Sequence, residues 1–320
     1  MNDIPAGRPP EPDWDTATAA ELAAYRDAEN RFRASEAIRP ITGEPHPGAA
    51  IRWQTIALPG RDLPVRVYRP ASAGDGGTGL PLVVHVHGGG FVGTAVQSDW
   101  VNSHLAARLP ALVVSVEHRL LDHDTPLSDA ADDGWDALAH LRANAAEWGV
   151  DPSRAALFGE SCGGLISALA AIRAREAGVR LRAQVLVNPA TDVTAAMFDH
   201  PSMTEHARTP TLAAPTLRLF ERLAVPAGTD PRPLSPLRAD DLGGLAPALV
   251  VVPTHDPLAD HGRRYAERLQ AAGTPARLSE LPGVGHAFLS LPGMVPQAET
   301  ARDEILAFLT EAFSGEGDAR

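Results

Sequence analysis

The sequence predicts an α/β protein built on a doubly wound, mostly parallel central sheet covered by helices on both faces. Three observations carry that prediction. Five short runs, 82–86, 111–116, 155–158, 183–187 and 248–252, are apolar almost throughout. Strands that are apolar on both sides belong inside a parallel sheet whose two faces are covered. Helical segments at about 98–109, 128–147, 161–177 and 260–272 fall between them, and alternation of strand with helix is the mark of a doubly wound sheet. Finally, the interval from about Asp192 to Pro226 breaks this rhythm, as an insertion above the carboxyl edge of the sheet would.

Taken in order, residues 1 to about 15, with Pro5, Pro9, Pro10 and Pro12, read as an extended arm. A helix is expected from Thr16, capped by that threonine, with Leu22, Tyr25, Ala28, Glu29 and Phe32 at helical spacing. Residues 39–48 read as loop. Residues 51–58 and 63–68 alternate apolar with polar side chains, as two half-buried antiparallel strands do. A glycine-rich loop at 74–79 precedes the first apolar strand. The sequence Asp151-Pro152-Ser153 breaks the chain before the strand at 155. The irregular interval holds Met197, Phe198 and Met203 and a short helical run around 212–223. A last helix spans about 297–313, and the tail from Ser314 is expected to fray.

Bulk properties narrow the function. The 320 residues are 44% hydrophobic and 21% charged, ordinary for a soluble globular chain. The formal net charge is −12, which opposes binding to phosphate backbones, so no nucleic-acid partner is expected. All 28 basic residues are arginine, which rules out Schiff-base lysines, Ser–Lys dyads and lysine-dependent phosphate loops. The single cysteine, Cys162, has no intrachain partner for a disulfide and suits a reducing, cytoplasmic setting. No run approaches 18 uninterrupted apolar residues, so no membrane span is expected.

The chemistry centres on Gly159-Glu160-Ser161-Cys162-Gly163, set between the strand at 155–158 and the helix at 161–177. A Gly-x-Ser-x-Gly match gains meaning from a strand–turn–helix context, where the turn holds the serine in a strained, exposed position. A serine hydroxyl needs a base, usually histidine, and the histidine needs an acid that fixes its tautomer. Asp256 lies just past the strand 248–252, where open α/β sheets build their sites. His286 lies in the glycine-rich loop 282–288 that follows 277–281. Asp260 and Asp192 are rival candidates for the acid. His255 and His261 lie too near the acid loop to act as a base that it orients. Directly after the strand at 82 comes His87-Gly88-Gly89-Gly90-Phe91. Glycine lets the backbone approach a substrate closely, and fixed N–H donors are what a developing oxyanion needs. The expected donors are the N–H groups of Gly89, Gly90 and Cys162. His87 is expected to tie the loop by hydrogen bonding. His85 and His87 also form His-x-His, the weak start of a metal site, but Gly-Gly-Gly-Phe follows rather than further ligands, and neither metal nor cofactor is expected. Cys162 is a weaker candidate nucleophile, because the position after the serine should point inward.

With these residues assembled, the chain resembles the hormone-sensitive-lipase-like family of α/β-hydrolases from about residue 50 to 313. The resemblance rests on His87-Gly88-Gly89-Gly90, on Gly159 to Gly164, on Asp256-Pro257-Leu258 and on His286-Ala287-Phe288, with support from residues 115–120 and 150–154. The order Ser161, Asp256, His286 is that of α/β-hydrolases. The resemblance implies an α/β-hydrolase fold with a helical cap. The arm and first helices (1–49) and the insertion (191–226) would form the cap, over a core of 50–190 and 227–320. It implies a serine carboxylesterase acting on short- to medium-chain acyl esters through an acyl-enzyme. The same residues could serve an amide, a lactone or a formyl-arylamine, and a non-catalytic small-molecule receptor on this scaffold is the third reading. Relatives often pair through an edge strand, so a homodimer is a further expectation. The chain departs from the family pattern at Glu160 and Cys162, where Asp and Ala are usual, at His118, where Tyr is usual, and at 121–124.

Overall fold

A computed structural model describes residues 7–74 and 76–314. The first six residues of the expected arm, one residue of the 74–79 loop and the tail beyond Ser314 lie outside the described residues.

The chain opens with helix α1 (Ala19–Arg33) and a short α2 (Arg39–Thr42). Thr18, not Thr16, caps α1. Its side chain accepts from the Glu21 N–H while the Glu21 carboxylate accepts from the Thr18 N–H, a reciprocal capping box. Strands β1 (Ala49–Leu58) and β2 (Arg61–Pro70) form an antiparallel hairpin. Pro59-Gly60 joins them, with Gly60 at φ +80°, the sequence of a type II turn.

The alternating layers follow: β3 (Leu80–Val86), α3 (Asp99–Arg108), β4 (Leu112–Val116), α4 (Leu127–Ala143), α5 (Ala145–Trp148), β5 (Val150–Glu160), α6 (Cys162–Glu176) and β6 (Ala183–Val187). The expected single helix at 128–147 is therefore two, broken at Asn144, whose φ of −105° and ψ of 30° leave the helical region. After β6 come α7 (Pro201–Glu205) and α8 (Ala214–Ala224), then β7 (Ala248–His255), α9 (Ala259–Ala271), β8 (Ala276–Gly285) and α10 (Gln297–Ser314).

Among the described residues, eight strands form one sheet in the order β1-β2-β4-β3-β5-β6-β7-β8. β2 pairs antiparallel with both neighbours, and every pairing from β4 to β8 is parallel. Successive side chains along a strand point to opposite faces, and here both faces are buried. Val83, Val113, Phe158, Val185 and Leu249 pack with Leu105 of α3 and Ile305 and Leu309 of α10. Their neighbours Val84, Val114 and Leu157 pack with Leu138 and Leu141 of α4, and Leu186 and Val250 pack with Tyr265 and Leu269 of α9. This is why the strand sequences are continuously apolar. A further cluster joins Trp14, Tyr25, Phe91 and Cys162 to Met197, Met203, Leu217 and Phe220, so the N-terminal segment and the segment between β6 and β7 bury their apolar faces together against the Ser161 end of the sheet.

Candidate active site

Ser161 stands between the end of β5 and the first residue of α6, at φ +54° and ψ −118°. A non-glycine residue in that region is strained, at about 1–3 kcal/mol, and persists only where its surroundings over-determine it. The surroundings do so here. The Ser161 N–H donates to Val187 O of the adjacent strand, and its carbonyl accepts from Leu165 N and Ala190 N. The two flanking glycines are obligatory by space. A Cβ on Gly159 would lie 2.1 Å from Gly163 O, and a Cβ on Gly163 would lie 2.1 Å from Val86 O and 2.5 Å from His87 O. The turn can be this tight only because neither position has a side chain.

Asp256 and His286 arrive from the ends of β7 and β8. The expected glycine-rich loop at 282–285 is strand, since β8 runs on to Gly285 and pairs with His255. His286 is therefore delivered by a strand end, a firmer mount than a loop. Its Nδ1 is 2.7 Å from Asp256 Oδ2, and its Nε2 is 2.8 Å from Ser161 Oγ. Asp256 is fully buried, and its other oxygen accepts from Leu258 N at 2.9 Å. A carboxylate accepts only, so it fixes the imidazole as the Nδ1–H tautomer and leaves Nε2 free to accept from the serine hydroxyl. Asn188, at φ +38°, sets its Nδ2 3.2 Å from His286 Nε2. The sequence reading missed this contact, because nothing in the local pattern around Asn188 points to a residue 98 positions away.

The rival acids are engaged elsewhere. Asp260 accepts from Ser202 N and pairs with Arg263 at 2.9 Å. Asp192 pairs with Arg238 at 2.6 Å and accepts from Thr194 N. Burial works against the charge on Asp192, but the Thr194 hydrogen bonds and the Arg238 guanidinium outweigh it and hold the carboxyl below its usual range. His261 is buried, accepting from Thr191 N and facing Met197 O.

The glycine loop after β3 lies against the start of α6. Gly89 has φ +99°, and a Cβ there would collide with Val92 O at 1.7 Å. A Cβ on Gly90 would lie 2.5 Å from the Phe220 ring and 3.7 Å from Cys162 Sγ, so helix α8 covers this loop with an aromatic face. Among the described residues, the N–H groups of Gly89, Gly90 and Cys162 donate to no other group. Cys162 points inward, 2% exposed, and burial pushes its thiol up to about 12. A thiol so protonated is no nucleophile near neutrality. His87 ties the loop as expected, its Nδ1 donating to Gly88 O at 3.0 Å. Its ring stacks on His118, with centroids 4.3 Å apart. Burial, and then the neighbouring His118, hold His87 well below the usual histidine range. His85 contacts Ser115, Asn102 and Glu160. The 121–124 segment touches the loop directly, through Leu121 N–H to Gly90 O at 2.8 Å.

A buried Asp–His–Ser chain, a strained serine at a strand-to-helix turn and unpartnered backbone donors beside it have the composition of an acyl-transfer site. Comparison with known proteins gives the family. A family model for the α/β-hydrolase fold matches residues 83–290. The carboxylesterase NlhH of Mycobacterium tuberculosis is 40% identical over 277 residues, 83% of this chain and 84% of that protein. An ethyl acetate hydrolase of Pseudomonas putida is 34% identical, covering 79% of each chain. An ester hydrolase from the metagenome of Lake Arreo, solved with a bipyridine phosphonate derivative, superposes with a TM-score of 0.84 at 32% identity, covering 95% of this chain and 94% of that one. By sequence match, sheet order and the geometry of its strand ends, the chain belongs to the α/β-hydrolase fold, in the hormone-sensitive-lipase-like carboxylesterase family.

Proposed function

We propose that the chain is a serine carboxylesterase in which Ser161 is the nucleophile, His286 the general base and acid, and Asp256 the residue that orients His286. The N–H groups of Gly89, Gly90 and Cys162 hold the oxyanion. Ser161 Oγ attacks the ester carbonyl carbon as its proton passes to His286 Nε2. The carbonyl oxygen becomes an oxyanion and is stabilised by the three N–H groups. Collapse of this intermediate breaks the bond to the alcohol oxygen, which leaves with the proton from Nε2. Water then gives a proton to Nε2 as its oxygen attacks the acyl carbon, and a second collapse returns the proton to Ser161 Oγ and releases the acid. The observation that carries this reading is the single imidazole placed 2.8 Å from Ser161 Oγ and 2.7 Å from Asp256 Oδ2.

The substrate class is short- to medium-chain acyl esters. The Phe220 ring lying over Gly90 supports a confined acyl site, and a relative is named for ethyl acetate. In this proposal the cap is residues 1–49 with 191–226, and the core is 50–190 with 227–320. Two cap contacts support it: Arg222 Nη2 donates to Trp14 O at 2.7 Å, and Arg218 pairs with Asp15 at 3.3 Å. A cytoplasmic setting without nucleic-acid partners rests on the lone cysteine and the net charge of −12. No helix among the described residues is long and apolar enough to cross a membrane. Pairing of two copies along an edge strand, β1 or β8, is the assembly expected, and light scattering tests it.

A fluorophosphonate probe should label Ser161, and Ser161→Ala should lose both labelling and hydrolysis of p-nitrophenyl acetate. A folded Ser161→Ala protein with wild-type turnover would remove the assignment. Ester, lactone and arylamide substrates compared on one preparation separate the possible acyl donors. An acyl series from acetate to decanoate with best turnover on the longest chains would overturn the short-chain reading.

A further inference from the structure

Backbone donors stabilise an oxyanion only if they are already in place when the charge develops. The Cys162 N–H is fixed by helix α6. Gly89 and Gly90 have no such support of their own, because consecutive glycines lose more conformational freedom on ordering than any other residues. Something outside the loop has to hold it.

The loop is tied at each side of the two donors. Gly88 O accepts from Gln97 Nε2 at 3.1 Å as well as from His87. Gly90 O accepts from Leu121 N, Phe91 O accepts from Arg26 Nε at 2.8 Å, and Gly93 N–H donates to Asn30 Oδ1 at 2.9 Å. Three of these ties lead back to one helix. Arg26 and Asn30 are on α1, and Arg33 of α1 holds Gln97 through Nη1 to Oε1 at 3.0 Å. Arg26, Asn30 and Arg33 are spaced i, i+4, i+7, so they form a single stripe along α1. The Arg26 guanidinium also donates to Leu121 O and pairs with Asp122 at 3.3 Å. It therefore clamps the glycine loop and the 121–122 segment to each other. The helix is itself well seated. Leu22 and Tyr25 are buried, Trp14 packs edge-on to Tyr25 and against Phe91, and Glu29 lies between Arg8 and Arg33. All of α1 lies outside residues 83–290, the span that carries the family match.

We infer that Arg26, Asn30 and Arg33 are positioning residues for the oxyanion site: the N-terminal helix is a strut that fixes the Gly89 and Gly90 N–H groups from outside the sheet. The inference rests on the proposed roles of Ser161, Gly89 and Gly90. Its consequence is that α1 acts on turnover more than on substrate affinity.

The test uses the full-length protein with four variants: Arg26→Ala, Arg26→Gln, Asn30→Leu and Asn30→Asp. Fluorophosphonate titration counts competent Ser161 in each preparation, so rates are expressed per labelled site. Removing an oxyanion donor outright costs on the order of 100- to 1,000-fold. Loosening a donor that is still present should cost less, about 10-fold in kcat for Arg26→Ala and for Asn30→Leu, with KM for p-nitrophenyl acetate within about twofold. A trifluoromethyl ketone forms a serine adduct that carries the oxyanion, and its affinity should weaken in step with kcat. Asn30→Asp keeps an acceptor oxygen for Gly93 N–H and should recover most of the rate. Arg26→Gln serves if Asn30→Leu fails to fold. Unchanged kcat per labelled site in the Arg26 and Asn30→Leu variants would overturn the inference. So would a loss of labelled sites alone, or a kcat loss with undiminished affinity for the ketone. Failure of the underlying reading has a different signature, because then the wild-type protein itself would not label at Ser161.

Discussion

Replacing Asp256 by asparagine tests the direction in which protons are held at this site. Asp256 has two buried oxygens, one accepting from His286 Nδ1–H at 2.7 Å and one from Leu258 N–H at 2.9 Å. In Asp256→Asn one oxygen becomes an NH2 group. The Leu258 N–H claims the remaining oxygen, so the amide presents N–H to Nδ1. The imidazole then keeps its proton on Nε2, 2.8 Å from Ser161 Oγ, and has no lone pair with which to accept the serine proton. A tautomer fixed the wrong way in a Ser–His–Asp site costs about 10⁴ in kcat, or about 5 kcal/mol of barrier. Asp260→Asn should do little. It keeps an oxygen for Ser202 N–H and loses only the charge on one side of a partly buried pair with Arg263, worth about 1 kcal/mol of stability. The assay is kcat on p-nitrophenyl acetate, with thermal melting to show that both variants are folded. Asp256→Asn turnover within about tenfold of wild type, or a larger loss in Asp260→Asn, would refute the assignment of the acid and with it the tautomer argument.

Three further outcomes follow from the same geometry. Gly163→Ala places a methyl group 2.1 Å from Val86 O and 2.5 Å from His87 O; both are backbone atoms at the end of β3 that cannot yield, so a stability loss of about 3 kcal/mol or more is expected, and wild-type melting with wild-type turnover would count against it. Cys162, buried with its thiol pushed up to about 12, should resist iodoacetamide in the native protein and react on unfolding. Cys162→Ala should keep kcat within about threefold, since the proposed role uses only its N–H, whereas abolished turnover would revive the thiol as nucleophile. His261 is pinned in its neutral form, accepting from Thr191 N at Nδ1 and donating from Nε2 to Met197 O. Burial, and then His200, hold it down to about 4 against an ordinary 6.5, while Asp192 and Asp256 act the other way. The folded state thus binds fewer protons than the unfolded one between those values, so its contribution is complete above pH 6.5 and is lost as pH falls toward 4. By pH 5 that amounts to about 2 kcal/mol; urea unfolding at pH 7.5 and 5 should show this loss in the wild type and a smaller one in His261→Gln, and equal losses would refute it.

The sheet was legible because its strands are buried on both faces, which writes each one into the sequence as an unbroken apolar run. Asp256 and His286 could be picked out for the same reason: each follows such a run or its edge-strand counterpart, and the chemistry of a strand end is local. What the sequence concealed is of two kinds. Local signals misled where composition and conformation part company. Gly283 and Gly285 suggest a loop, yet Val284 is buried and the segment continues β8. Thr16 and Thr18 are equivalent as cap residues until Glu21, three residues after Thr18, decides between them. Other features were out of reach because they join distant segments. Arg26 meets Phe91 across 65 residues, and Asn188 meets His286 across 98. No periodicity encodes such a pairing; it exists only once the sheet has set the order of its strands.

The residue before Ser161 shows how a buried carboxylate is accommodated beneath the turn. Glu160 is 5% exposed, and a carboxylate at that depth is costly unless hydrogen-bonded. Its partners come from three elements. Ser98 Oγ donates to Oε1 at 3.1 Å, Ser290 Oγ donates to Oε2 at 3.4 Å, and His85 Nε2 lies 3.4 Å from Oε1. On its other side His85 Nδ1 lies 2.8 Å from Ser115 Oγ and 3.0 Å from Asn102 Nδ2. One carboxylate thus links the end of β5, just before Ser161, to β3, to the segment leading into α3, and to Ser290, four residues beyond His286. Through Glu160 the Ser161 turn is thus joined to the segment that follows His286. A shorter side chain at 160 would draw these donors closer or leave some unmet, so the serines at 98 and 290 and the histidine at 85 are the positions expected to change with it.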